Sequence, residues 1–122
     1  MGNRQSDTTK KLLNKLFEDI KLVLNKQEGD TFNFFCSKII LNILAPLIIR
    51  STEEQQLKIF PILEKFGNFI FDAERDNNFN EQQLNISLNE LLKSMEENSI
   101  TLEWKGQNIF STTDLIFCYN VK

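Results

Sequence analysis

The chain has 122 residues, a formal charge of −3, a hydrophobic fraction of 41% and a charged fraction of 25%. That suits one globular domain, which buries roughly two-thirds of the surface its unfolded chain exposes and needs no disulfide or metal to fold. Disorder is excluded, nucleic acid is disfavoured because phosphates call for clustered Lys and Arg, and the absence of histidine removes Ser-His-Asp and Cys-His catalysis and His-ligated zinc.

The pattern predicts a mainly α fold: a compact bundle of four helices, a small C-terminal β-hairpin and a short closing helix. Residues 1–7 read as a flexible N-terminus and residues 8–122 as the single domain. The first helix is expected from Thr8 to Gln27. Leu12, Leu13, Leu16, Phe17, Ile20, Val23 and Leu24 recur at helical spacing as one apolar stripe. Ser6 or Asp7 would cap its start and Gly29 would end it. Lys11, Lys15 and Lys21 lie off the stripe, on a solvated face.

The second helix is expected near Asp30 or Thr31 and is apolar almost all round, from Phe32 to Ile49. That marks a central helix. A membrane span would need about 20 apolar residues; Asn33, Lys38, Asn42 and Pro46 interrupt this one. Pro46 leaves one carbonyl without its donor and is expected to kink or end the helix.

A third helix begins at Ser51, with Glu54 at capping-box spacing. Leu57, Phe60, Leu63, Phe66, Ile70 and Ala73 supply its stripe, and Pro61 predicts a kink or two pieces. Asp72 to Asn80 reads as a polar loop. The fourth helix follows Asn80, with Gln83 at the reciprocal capping position, and ends near Asn98. Leu84, Leu88, Leu91, Leu92 and Met95 face inward.

The last quarter changes period. Ile100, Leu102 and Trp104 alternate with Thr101, Glu103 and Lys105, as in a half-buried strand. The turn 105–108 and Ile109-Phe110 complete a hairpin over about 100–110. Ser111 and Asp114 have cap spacing, and Leu115 to Val121 reads as a helix in preference to a third strand.

Several constellations bear on function. Cys36 and Cys118 sit in apolar runs and read as reduced, buried thiols. The first ten residues are polar, with no signal peptide, so the expected location is cytoplasmic. Gly2 and Ser6 match the myristoylation pattern, and Arg4, Lys10, Lys11 and Lys15 would add attraction to anionic lipid. Asp72, Glu74 and Asp76 take the first, third and fifth positions of a degenerate calcium loop of EF-hand type. Asn77 replaces its sixth-position glycine and Gln83 its twelfth-position glutamate, so affinity would be poor. Phe69, Ile70 and Phe71 are consecutive and cannot all face one way, which makes Phe69 a candidate interface anchor. Trp104 is another. Glu96 and Glu97 place acid at a helix C-terminus, where the dipole disfavours it.

Three readings follow. The first is a non-catalytic protein-binding module, most concretely an inhibitor or immunity protein that neutralises a toxin by occlusion. Asp72, Glu74, Asp76, Glu81, Glu90, Glu96, Glu97 and Glu103 would face a basic partner, with Phe69 or Trp104 as anchor. No cofactor or metal is expected. The second is a membrane-associated regulator anchored through Gly2 and sensing calcium at Asp72 to Gln83. The third, an enzyme using carboxylates or a lone cysteine, lacks an identifiable acid–base pair.

Overall fold

The computed structural model describes the backbone of residues 2–27 and 32–120, with side chains over 8–27 and 35–118. The chain is mainly α, with one small antiparallel sheet. Its elements are α1 (Gly2–Lys26), α2 (Phe32–Arg50), α3 (Glu53–Arg75), α4 (Glu81–Glu97), β1 (Leu102–Trp104), β2 (Gln107–Ile109) and α5 (Thr112–Asn120).

The helix α3 packs against both α1 and α4, while α2 touches all three and supports β1. The strands pair Leu102 with Ile109 and Trp104 with Gln107. The closing helix α5 rests on β2 and α4. Each helix delivers one buried stripe to a shared core: Leu13, Phe17 and Ile20; Ile40, Leu44 and Ile48; Ile59, Leu63 and Ile70; Leu84, Leu88 and Leu91. Leu102, Ile109 and Leu115 close the hairpin end.

Several boundaries differ from expectation, each for a local reason. The first helix already begins at Gly2, so Ser6 and Asp7 stand inside it and not at its cap. Nothing in that polar stretch forbids a helix, since it contains no proline. Gly29, Asp30 and Thr31 lie outside the described residues. The cap of α3 falls one residue later than Ser51: the Thr52 hydroxyl accepts from the Gln55 amide at 3.1 Å, and Gln55 Oε1 accepts from the Thr52 amide at 2.9 Å. Ser51 instead closes α2, its hydroxyl donating to the Ile48 carbonyl at 2.7 Å.

Neither proline ends its helix. Pro46 and Pro61 are both exposed, as are Asn42 and Leu57, whose carbonyls lose their donors. Water can satisfy those carbonyls there, so the interruption costs less than it would in the core. Arg50 also donates to the Pro46 carbonyl at 3.2 Å.

The apolar stripes are narrower than the sequence pattern. Leu12 and Leu57 are about half exposed, and fully buried Gln56 takes an inward position in α3. Nor is α2 surrounded on all sides. Phe35, Asn42, Pro46 and Ile49 form an exposed stripe along it, because its neighbours cover only part of its circumference. Among the described residues no helix is long and apolar enough to cross a membrane.

Both ends of α4 and the end of α3 use polar caps. Asn80 Oδ1 accepts from the Gln83 amide at 3.0 Å. The C-termini of α3 and α4 close in the same way. Asn77 (φ 50°) and Ser99 (φ 60°) take left-handed conformations. The following amides, of Asn78 and Ile100, return to the Ala73 and Met95 carbonyls at 2.9 Å. That is the Schellman pattern, here without glycine. In the hairpin turn Lys105 (φ 53°) and Gly106 (φ 78°) are both left-handed, as a type I′ turn requires. The turn therefore occupies two residues, and Gln107 and Asn108 belong to β2.

Candidate functional site: a cleft between α3 and α4 centred on Phe69

Ile62, Phe66 and Phe69 recur along one face of α3; Ser87 and Leu91 do so on α4. The five-residue connection between Arg75 and Glu81 folds the helices back on each other. These residues, with Lys65 and Glu90, line a hollow of about 130 Å³. Phe66 and Leu91 are buried in it, and Phe69 is half-buried. Lys65 Nζ lies 3.5 Å from Glu90 Oε2 at its rim, and both side chains are largely exposed. Such a pair contributes at most about 1 kcal/mol and opens easily.

A second hollow of about 170 Å³ lies on the other side of Phe69, lined also by Asp72, Ala73, Asp76 and Asn78. Asp72 and Asp76 flank Arg75, at 3.3 Å and 3.2 Å from its guanidinium. The hydrogen bond to Asp76, then the charges of Asp76 and Asp72, push the Arg75 pKa up. The trio carries a net charge of −1. One apolar ring thus stands between two hollows, with acid on both sides.

This arrangement corrects one expectation. Asp72 to Arg75 form the last turn of α3 and not a loop, because the buried stripe runs on through Ile70 to Ala73. The ligand positions of an EF-hand loop are therefore not set out. Asn77 does adopt the left-handed conformation that such a loop takes at that position, but here it terminates a helix. Among the described residues no group of three or more Cys, Asp or Glu is placed to hold a metal ion.

The other candidate residues are dispersed. Glu74 points to α1, 3.9 Å from Lys26 Nζ. Glu81 opens α4, and exposed Glu96 and Glu97 end it, roughly 24 Å away by helical rise. Glu97 lines a separate polar recess with Thr52, Gln55 and Lys58. Glu103 is exposed on β1. Trp104 is half-buried against the core, with Lys105 Nζ 4.6 Å from its ring centre. The eight acids therefore do not form one continuous surface. Only Asp72, Asp76 and Glu90 gather around an aromatic. Gly2 is the first residue of α1.

Sequence reasoning missed Ile62, Lys65 and Ser87 as cleft residues. Their helical spacing was a usable signal once α3 and α4 were set antiparallel by their short connection. It also missed Leu22 and Phe117, each 60% exposed, which a periodicity argument assigns to no face. Cys36 and Cys118 are free and buried, and burial pushes the Cys36 thiol up to about 11. No family model matches the chain, and no curated protein or solved structure is significantly similar to it.

Proposed function

We propose that this protein is a non-catalytic, cytoplasmic protein-binding module, and specifically an inhibitor or immunity protein that neutralises a toxin by covering its active surface. The observation that carries this reading is the Phe69 cleft: an apolar ring between two hollows, flanked by Asp72, Asp76 and Glu90. A partner's apolar side chain seats between Phe66, Phe69 and Leu91. A neighbouring Lys or Arg displaces Lys65 from Glu90, or joins Asp72 and Asp76. Burial of the apolar contact supplies affinity, while the acids steer encounter.

The test is affinity capture from the protein's own cell lysate, with and without Phe69→Ala, followed by kinetics with the purified partner. One stoichiometric partner, lost with Phe69→Ala, supports the reading. Asp72→Lys with Glu90→Lys should slow association at low salt by about tenfold or more. Retained capture by Phe69→Ala removes the cleft from the interface, and an unchanged on-rate removes the steering role of the acids.

A further inference from the structure

The groove between α1 and α2 carries a different chemistry. Lys21 and Asn25 are four residues apart on α1, and Lys38 and Asn42 are four apart on α2. Residues that far apart share a helix face. The five residues between Lys26 and Phe32 join two helices that pack side by side, so they run antiparallel. The two pairs then face one another across the groove. All four side chains line one pocket, together with fully buried Leu24 and Leu41.

We propose that this pocket binds a phosphate group, either inorganic phosphate or the head of a small phosphate monoester. The two ammonium groups supply two positive charges, and the phosphate of a monoester carries close to two negative ones at neutral pH. Lysine binds phosphate as a point charge, and each asparagine amide adds two N–H donors. The apolar floor of Leu24 and Leu41 excludes water from below and strengthens the attraction. The pocket holds about 50 Å³. That is a few times the roughly 10–15 Å³ that one water needs by the same measure, which suits a compact tetrahedral head.

The local charge balance favours an anion. Among the described residues Lys21 has one ion-pair partner, Glu18, at 3.8 Å, and that side chain is 75% exposed. Among the described residues no carboxylate lies within ion-pairing distance of Lys38. Two like charges thus line one small pocket in a chain that is acidic overall. A bound phosphate would balance them.

The experiment is a two-dimensional NMR titration of the full chain with inorganic phosphate, and separately with glycerol 3-phosphate, with ionic strength held constant by sodium chloride. The expected result is saturable movement of the side-chain NH2 signals of Asn25 and Asn42. Lys21→Met and Lys38→Met keep the aliphatic stems, and each should weaken binding roughly tenfold, the order of one lost charge-assisted hydrogen bond. Lys58→Met, remote on α3, should leave binding unchanged. Movement with phosphate alone identifies the free ion, and tighter binding of the ester identifies a phosphorylated metabolite. Unsaturable shifts with both probes overturn the proposal. So does saturable binding that both lysine variants retain while their spectra remain those of the folded chain.

Discussion

The side-chain amide of Gln56, fully buried in α3, donates to the main-chain carbonyl of Ile48 in the last turn of α2 at 2.9 Å. The same nitrogen lies 3.4 Å from the Ser51 carbonyl. One polar side chain thus fastens the end of α2 to the start of α3. Its Oε1 is also buried, and no described residue donates to it. Gln56→Ala removes a hydrogen bond and leaves a cavity, and should cost about 2–3 kcal/mol in urea unfolding. Gln56→Glu turns a donor into an acceptor facing two carbonyls and should cost more than about 3 kcal/mol at pH 7. The buried carboxyl would hold its proton more tightly folded than unfolded. Its penalty should therefore shrink as pH falls toward about 4, the ordinary glutamate range. A penalty that does not vary with pH would contradict this placement.

At Gly67, α3 lies close against α1. A Cβ there would meet the Ile20 and Leu16 methyls at 3.1 Å. Alanine gains about 1 kcal/mol of helix propensity, and the side-chain ends it meets can yield a few tenths of an ångström. Gly67→Ala should therefore shift stability by less than about 1 kcal/mol, whereas Gly67→Leu must separate the helices and should cost more than about 2 kcal/mol. Equal melting temperatures for the two variants would show that α1 is not seated there.

Ser99 and Gly106 both occupy left-handed backbone, at φ 60° and 78°. Ser99→Gly should stabilise the chain by about 1 kcal/mol by relieving the Cβ strain of the α4 cap. Gly106→Ala should cost about 1 kcal/mol for the opposite reason, since a Cβ there meets nothing within 4 Å. Thermal unfolding of the two variants should move in opposite directions by a few degrees.

Cys36 is fully buried, and burial raises its thiol from 9.0 to about 11. As pH rises past 9 the unfolded chain loses this proton first, so unfolding is favoured. The contribution of Cys36 to stability is intact below pH 9 and declines toward pH 11, by at most about 1.4 kcal/mol per pH unit. Urea midpoints at about pH 8 and about pH 10.5 should fall further for the natural chain than for Cys36→Ala. A thiol reagent at about pH 8 should label Cys36 only on unfolding.

Much of the fold was legible along the chain. Apolar residues at helical spacing marked four helices, and strict alternation over 100–105 marked the first strand of the hairpin. Asn80 and Asn98 marked the ends of α4. The candidate site was legible only in part. Phe69 stood out because three consecutive large apolar residues cannot share one face, and Asp72 and Asp76 stood out as charge. Nothing along the chain distinguished them from Glu96 or Glu103, because which acids share a surface depends on how helices cross. The α1–α2 quartet was unread for the same reason. Lys21 read as part of a solvated face and Lys38 as an interruption of an apolar run, and two helices place them in one pocket.

Local chemistry by itself determined that this chain is helical, that α3 and α4 start at polar caps, and that a hairpin precedes the last helix. Those features rest on short-range sterics, hydrogen bonding and the period of apolar side chains, all of which are written in neighbouring residues. Only the tertiary structure decided the rest. Packing on α1 and α4 set the buried register of α3, leaving Leu57 at the surface and Gln56 inside. The continuing stripe through Ala73 carried Asp72 and Glu74 into a helix. Antiparallel neighbours drew Phe69 together with Glu90, and Lys21 with Lys38. Each of these depends on which face another element covers, and that is a property of partners distant in sequence.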